Sequence, residues 1–177
     1  AQKNDYTNAI SCEQKAITIA PDIPEPYINL GNVYLESGDG GNVDNAVLAF
    51  HKALRIVKDH PNALSGLGWA LEKRGDMKGA IDCQRKALKS GPKFPTAHRR
   101  LAECLASTGD NTNAEAEYKI TLELDPHDAT AMVQYAQLLQ KLNRPTEAAT
   151  YYKKALEVNP QLKIAQDSLN SLNKKPQ

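Results

Sequence analysis

A chain of 177 residues with 41% hydrophobic and 24% charged residues holds enough apolar material for a sizeable core, and its composition is not that of a disordered chain. Its 22 Lys and Arg against 21 Asp and Glu leave a formal net charge of +1, so no basic excess draws it to phosphate backbones or anionic lipid. No stretch reaches the roughly eighteen consecutive apolar residues of a spanning helix, and Ala1 to Tyr6 lack the charged-then-apolar layout of a secretory signal. Neither nucleic acid nor membrane insertion is therefore expected. Three widely spaced cysteines, Cys12, Cys83 and Cys104, fit neither a disulfide framework nor a zinc pattern, which points to reduced thiols and a cytoplasmic setting.

In chain order, the first predicted helix is Asp5 to Ala20, with Ala9, Ala16 and Pro21 at the places a hairpin's second helix would hold them. The first helix of that hairpin is absent, and the chain does not begin with Met, so residues 1–23 are expected to be the remnant of a truncated repeat. Four complete helical hairpins are predicted next, at 24–60, 61–94, 95–128 and 129–162. The segment Lys163 to Asn173, with Ile164, Ala165, Leu169 and Leu172 among polar residues, is predicted to cap the last apolar face ahead of the tail to residue 177. The whole chain, 1–177, is expected to form one domain.

The hairpins follow from a period. Ala80, Ala114 and Ala148 are 34 residues apart, as are Pro92, Pro126 and Pro160, and Gly75, Gly109 and Asn143 keep the same step. Ala9 to Ala46, Leu30 to Leu67 and Gly38 to Gly75 are 37 apart, three residues more. The excess falls in Asp39 to Asn45, rich in turn formers, and is expected to lengthen a surface turn there. Within each repeat two amphipathic patterns are parted by the Gly column and closed by the Pro column. Small residues such as Gly31, Gly68, Ala102 and Ala136 let helices approach closely, and Phe50, Tyr118 and Tyr152 fill the gaps between hairpins. Lys58 in place of Pro, Gln84 and Glu13 in place of the large residue, and Asn143 in place of Gly are departures expected to loosen packing locally.

The run Tyr27-x-x-Leu30-Gly31-x-x-Tyr34 followed by Ala46-x-x-x-Phe50 and Ala53 resembles the tetratricopeptide repeat signature. Leu64-x-x-Leu67-Gly68-x-x-Leu71 with Ala80, Ala87 and Pro92 repeats it, and two weaker copies begin at His98 and Met132. The resemblance implies an all-α, right-handed α-solenoid of tandem helix-turn-helix hairpins, whose first helices line a concave groove.

No phosphate-cradling loop, GxGxxG, HExxH, CxxC or GxSxG occurs. Ser90-x-x-Lys93 matches a bare acyl-enzyme pattern, but Pro92 within it is the helix-ending column. His51, His60, His98 and His127 fall at different places in the repeat, so they read as scattered packing or surface histidines rather than metal ligands. Neither catalysis nor a cofactor is expected. The expected function is that of a protein-interaction scaffold holding a protein or peptide segment, with an arm of a larger enzyme or assembly as the alternative.

At the positions that line the groove in the family stand Asn29, Asn32 and Glu36, then Ser65, Trp69 and Lys73, then Arg99, Arg100 and Glu103, then Gln134, Gln137 and Lys141. Trp69, off the packing stripe, is the candidate aromatic anchor, the alternative being that its ring covers a neighbouring hairpin. Arg99 and Arg100 could meet a ligand carboxylate, yet Glu103 stands within helical reach of both. The Lys and Asn set with which chaperone-binding members clamp a carboxylate is not matched. The uncapped helix Asp5 to Ala20 is a candidate surface for self-association.

Overall fold

The computed structural model describes residues 2–38 and 42–174, and among them every regular element is helical. The helices are α1 (Gln2–Ile19), α2 (Pro24–Glu36), α3 (Asn42–Ile56), α4 (Pro61–Lys73), α5 (Met77–Ser90), α6 (Pro95–Thr108), α7 (Asn111–Leu124), α8 (Ala129–Lys141), α9 (Pro145–Val158) and α10 (Lys163–Lys174). The closest pairings are α2 with α3, α4 with α5, α6 with α7 and α8 with α9, so consecutive helices form hairpins. The chain divides into two compact units, residues 1–92 and 93–177.

Turn chemistry explains where the helices stop. Gly75, Gly109 and Asn143 all take left-handed backbone, with φ of 84°, 88° and 59°. At each of the three the following N–H reaches back over the turn, from Asp76 to Leu71 O, Asp110 to Leu105 O and Arg144 to Leu139 O, each at 2.9 Å, which satisfies carbonyls the helix end leaves open. Asp76 and Asp110 then cap the next helix by accepting from the N–H of Gly79 and Asn113. Asn143 thus does the work of its glycine column without breaking it. The loop containing Lys58 does differ. Gly91, Asp125 and Asn159 each precede a proline and are held extended, whereas the loop that lacks the proline turns through Asp59 at φ 64°.

The expected surface turn Asp39 to Asn45 is shorter than the sequence suggested. Asn42, Val43, Asp44 and Asn45 belong to α3, because a helix that continues its own hydrogen bonding satisfies more backbone than an open loop, and residues 39–41 lie outside the described residues.

In unit 1 the core is built around Phe50, fully buried with Ala46, Ala53, Ala63 and Ala70, and Leu67 is buried beside them. Its ring lies so close to α2 and α4 that a Cβ on Gly31 would stand 2.6 Å from Phe50 Cζ, and one on Gly66 would also collide with the ring. Gln84, at the equivalent place one repeat later, is 1% exposed, and its Nε2 donates to the Ser65 carbonyl at 3.0 Å. In unit 2 the same column holds Tyr118, whose ring stacks on that of Tyr135, and Tyr152, whose hydroxyl donates to Gln140 Oε1. The α10 helix packs on α9 through the fully buried Ala165, while Ile164 is exposed.

Candidate functional site

Because side chains three and four apart share one helix face, each first helix presents a short row of polar residues beside its buried stripe. In unit 1 that row is Asn29, Asn32 and Glu36 on α2, with Trp69 and Lys73 on α4. Asn29 is exposed and its Nδ2 donates to Glu13 Oε1 at 3.3 Å, tying it to α1. Asn32 is half-buried, while Glu36 and Lys73 are exposed. Trp69 is half-buried and packs against the apolar core of the unit. Ser65 does not face outward: it is 3% exposed, because stacked hairpins cover that turn of α4.

In unit 2, Glu103, Gln134, Gln137 and Lys141 come together. They line a cavity of about 320 Å³ between α6 and α8, with Ser107 and Tyr118. Ser107 Oγ donates to the Glu103 main-chain carbonyl at 2.9 Å, and Lys141 Nζ donates to Ala106 O at 3.3 Å. Arg100 is half-buried on α6. Arg99 does not pair with Glu103, its helical neighbour. It lies 3.2 Å from Asp128 Oδ2, and Asp128 also caps α8 by accepting from the Ala131 N–H at 2.9 Å, so the pair joins α6 to the start of α8. Helical spacing identified a reachable partner, but the more buried contact across the hairpins, both side chains under a fifth exposed, is the one formed.

A larger cavity, about 560 Å³, lies on the opposite helices of unit 2, lined by Leu122, Met132, Tyr151 and Val158 with Lys119, Glu123, Lys154 and Glu157 at its edge. Sequence reasoning missed it, since apart from Met132, on the first helix α8, those residues belong to second helices and to no motif. Size alone does not make it the better candidate. Lys119 is already paired with Glu115 at 2.8 Å, and Lys154 sits over the Tyr151 ring.

The strongest electrostatics of the unit are structural. Arg144, at the start of α9, contacts Glu115 of α7 at 2.6 Å and Glu147 at 2.7 Å, and Tyr135 of α8 donates to Glu115. Arg144, then Lys119, pull the Glu115 carboxyl down to about 2, and burial with the Glu115 charge raises the Tyr135 phenol. Burial likewise raises the Cys83 thiol, which keeps it protonated and inert as a nucleophile. Among the described residues, no three His, Cys, Asp or Glu side chains converge as metal ligands, and no helix is long and apolar enough to cross a membrane.

Three tetratricopeptide repeat family models match the chain, over residues 1–38, 28–93 and 94–161. No curated protein sequence matches it significantly. Among solved structures, TTC0263, a thermophilic repeat protein of Thermus thermophilus, is 21% identical with a TM-score of 0.82 over 95% of this chain and 90% of its own. YrrB, described as a TPR protein with an unusual peptide-binding site, is 23% identical with a TM-score of 0.68 over 94% of this chain and 84% of its own. The pilF protein of Pseudomonas aeruginosa is 22% identical with a TM-score of 0.77 over 84% of this chain and 67% of its own. Hairpins that stop on a left-handed column, pack through small residues and match these models across residues 1–161 make the chain a member of the tetratricopeptide repeat family, with its all-α solenoid fold.

Proposed function

We propose that the protein is a binding scaffold that holds an extended segment of another protein on the face formed by the first helices of residues 93–177, with the cavity between α6 and α8 as the principal contact. The observation that carries this reading is the convergence of Glu103, Gln134, Gln137 and Lys141 on one cavity from two separate helices. Side-chain amides with a carboxylate and an ammonium offer both donors and acceptors, as an extended main chain requires. The residue types are long and flexible, so they can follow a ligand, while the helices beneath them are fixed by packing. Arg100, on α6 of the same unit, extends the binding face, and the description of YrrB as a peptide binder agrees in kind.

The test is selection of peptides from a randomised display library on the intact chain, followed by affinity measurement on Gln137→Ala with Lys141→Ala and, separately, on Trp69→Ala with Arg100→Ala. Selected peptides are expected to weaken on at least the first pair and to be indifferent to Lys154→Ala on the opposite helices. Peptides indifferent to both groove pairs and weakened by Lys154→Ala would move the site to the larger cavity.

A second reading has its own observation. Ile19 at the end of α1 is 83% exposed and Ile23 just after it is 46% exposed, an apolar pair that a second copy of the chain would cover. A mass that rises with concentration in sedimentation, and no longer does so in Ile19→Ser, would support self-association.

A further inference from the structure

Two surface features stand apart from the α6–α8 binding face: a projecting apolar pair in residues 1–92 and an apolar-floored cavity in residues 93–177. The pair is Ile19, 83% exposed at the end of α1, with Ile23, 46% exposed in the turn that follows. The cavity, about 560 Å³, has Leu122, Met132, Tyr151 and Val158 in its lining, and Val158 is itself 40% exposed. Charge gives each feature a direction. Along the first, the order is cation, isoleucines, carboxylate: Lys15 lies one helical turn before Ile19, Asp22 stands next to Ile23, and all four are exposed. At the cavity, Lys119 is followed one turn later by Glu123 on α7, and Lys154 by Glu157 on α9. Consecutive helices reverse direction in their hairpins, so α7 and α9 run the same way and both place the cation first and the carboxylate second. Lys119 also contacts Glu115 at 2.8 Å, and Lys154 lies 5.2 Å from the centre of the Tyr151 ring, so the carboxylate end carries the stronger sign.

We infer, on the basis of the self-association reading above, that the cavity beside α7 and α9 receives Ile19 and Ile23 of a second copy of the chain, laid antiparallel so that Lys15 meets Glu123 and Glu157 while Asp22 meets Lys154. The orientation follows from charge. Docked the other way, Lys15 would face Lys154 and Asp22 would face the carboxylates, and like charges brought together oppose the contact. Shape selects the cavity over the isoleucines of the second copy. Before Ile19 the exposed residues of α1 are Ser11, Cys12, Gln14, Lys15 and Thr18, so setting one such surface on its twin covers little beyond the isoleucines themselves. A cavity surrounds the side chains it takes, and removes apolar surface of both partners from water. The contact joins two different surfaces, so each added copy leaves one of each kind at the ends, and association continues past two copies unless it closes into a ring.

The experiment is sedimentation of the intact chain and its variants over a wide range of concentration. The unmodified chain is expected to grow past two copies. Ile19→Ser and Val158→Asp should each stay at the mass of one chain, and an equal mixture of the two should form a dimer that grows no further, because only one intact Ile19 and one intact cavity remain to meet. Charge reversal at exposed positions keeps the test independent of how Val158→Asp folds: Lys15→Glu and Glu157→Lys should each raise the concentration needed for association by about two- to fivefold, the scale of a solvent-exposed ion pair. Both in one chain should restore most of it. A mass that still rises in Val158→Asp but not in Ile19→Ser would put isoleucine against isoleucine, overturning the cavity inference and leaving self-association in place. A mass of one chain at every concentration of the unmodified protein would overturn both, and display-selected peptides that then weaken on Val158→Asp would give the cavity to a segment of another protein.

Discussion

Gly38, Gly75, Gly109 and Asn143 stand at one place in successive repeats, and all four have left-handed backbone. A Cβ on Gly109 would meet nothing within 4 Å, so alanine there is opposed by backbone strain alone, about 1–2 kcal/mol. Asn143→Ala should lose stability of the same order, roughly 1 kcal/mol, and Asn143→Gly should gain a few tenths or more; urea midpoints at constant slope read both. A gain on Asn143→Ala would mean that the left-handed turn is not maintained in solution. Gly66 poses the opposite problem, since its strain is steric. Gly66→Ala should cost about 1–3 kcal/mol through the Phe50 ring, and Phe50→Leu should recover part of it in a double-mutant cycle. The glycine column was legible as a repeating helix stop, and asparagine's tolerance of left-handed backbone explains why Asn143 preserves it. That Ser65 is buried was not legible, because the groove positions were carried over from the family's pattern, while burial depends on which helix stacks above.

At the scale of helices, one hairpin places a polar pair where the hairpin before it has two apolar residues. The places filled by Leu64 and Cys83 in α4 and α5 are held by His98 and Glu117 in α6 and α7, whose Nδ1 and Oε2 atoms lie 2.6 Å apart with both side chains mostly buried. Removing one member leaves the other buried without it, so His98→Leu alone should destabilise by about 2–4 kcal/mol. His98→Leu with Glu117→Ala, residue types the earlier hairpins use at these places, should be much closer to neutral. A double variant no better than the single would mean that the pair does not interact in solution. The Glu115 cluster makes a pH prediction. Its carboxyl is held at about 2 against 4.5 ordinarily, a lowered value, so the stabilisation is complete above the ordinary value and is lost as pH falls from about 5 toward 2. Glu115→Gln should therefore be less stable than the unmodified chain at pH 7, with the gap narrowing on acidification. A gap constant from pH 7 to 2.5 would show that the Arg144 contact does not form in the folded protein. None of these partners was visible in sequence: Glu115 and Arg144 are 29 positions apart, as are Arg99 and Asp128, and helical spacing reaches only three or four.

For the molecule as a whole, the repeat period made the hairpin fold legible, whereas its division into residues 1–92 and 93–177 was not: the boundary falls in a Gly-Pro loop that looks like its neighbours. Four of the twelve expected groove residues share the α6–α8 cavity, all of them in unit 2, and this makes the proposed function testable by location. Helical repeats open in local cooperative groups rather than only all at once. A ligand at a hundred times its dissociation constant stabilises the group that holds it by about 2.7 kcal/mol, which slows exchange through that opening by roughly a hundredfold. Hydrogen exchange on the intact chain with a saturating selected peptide should therefore slow most along α6 and α8, with little change in α2 and α3. Slowing centred on α7 and α9 would place the ligand in the larger cavity beside Tyr151 and Lys154. Slowing centred on α4 would make Trp69 the anchor, in which case its present packing against the core would have to open for the ligand to enter.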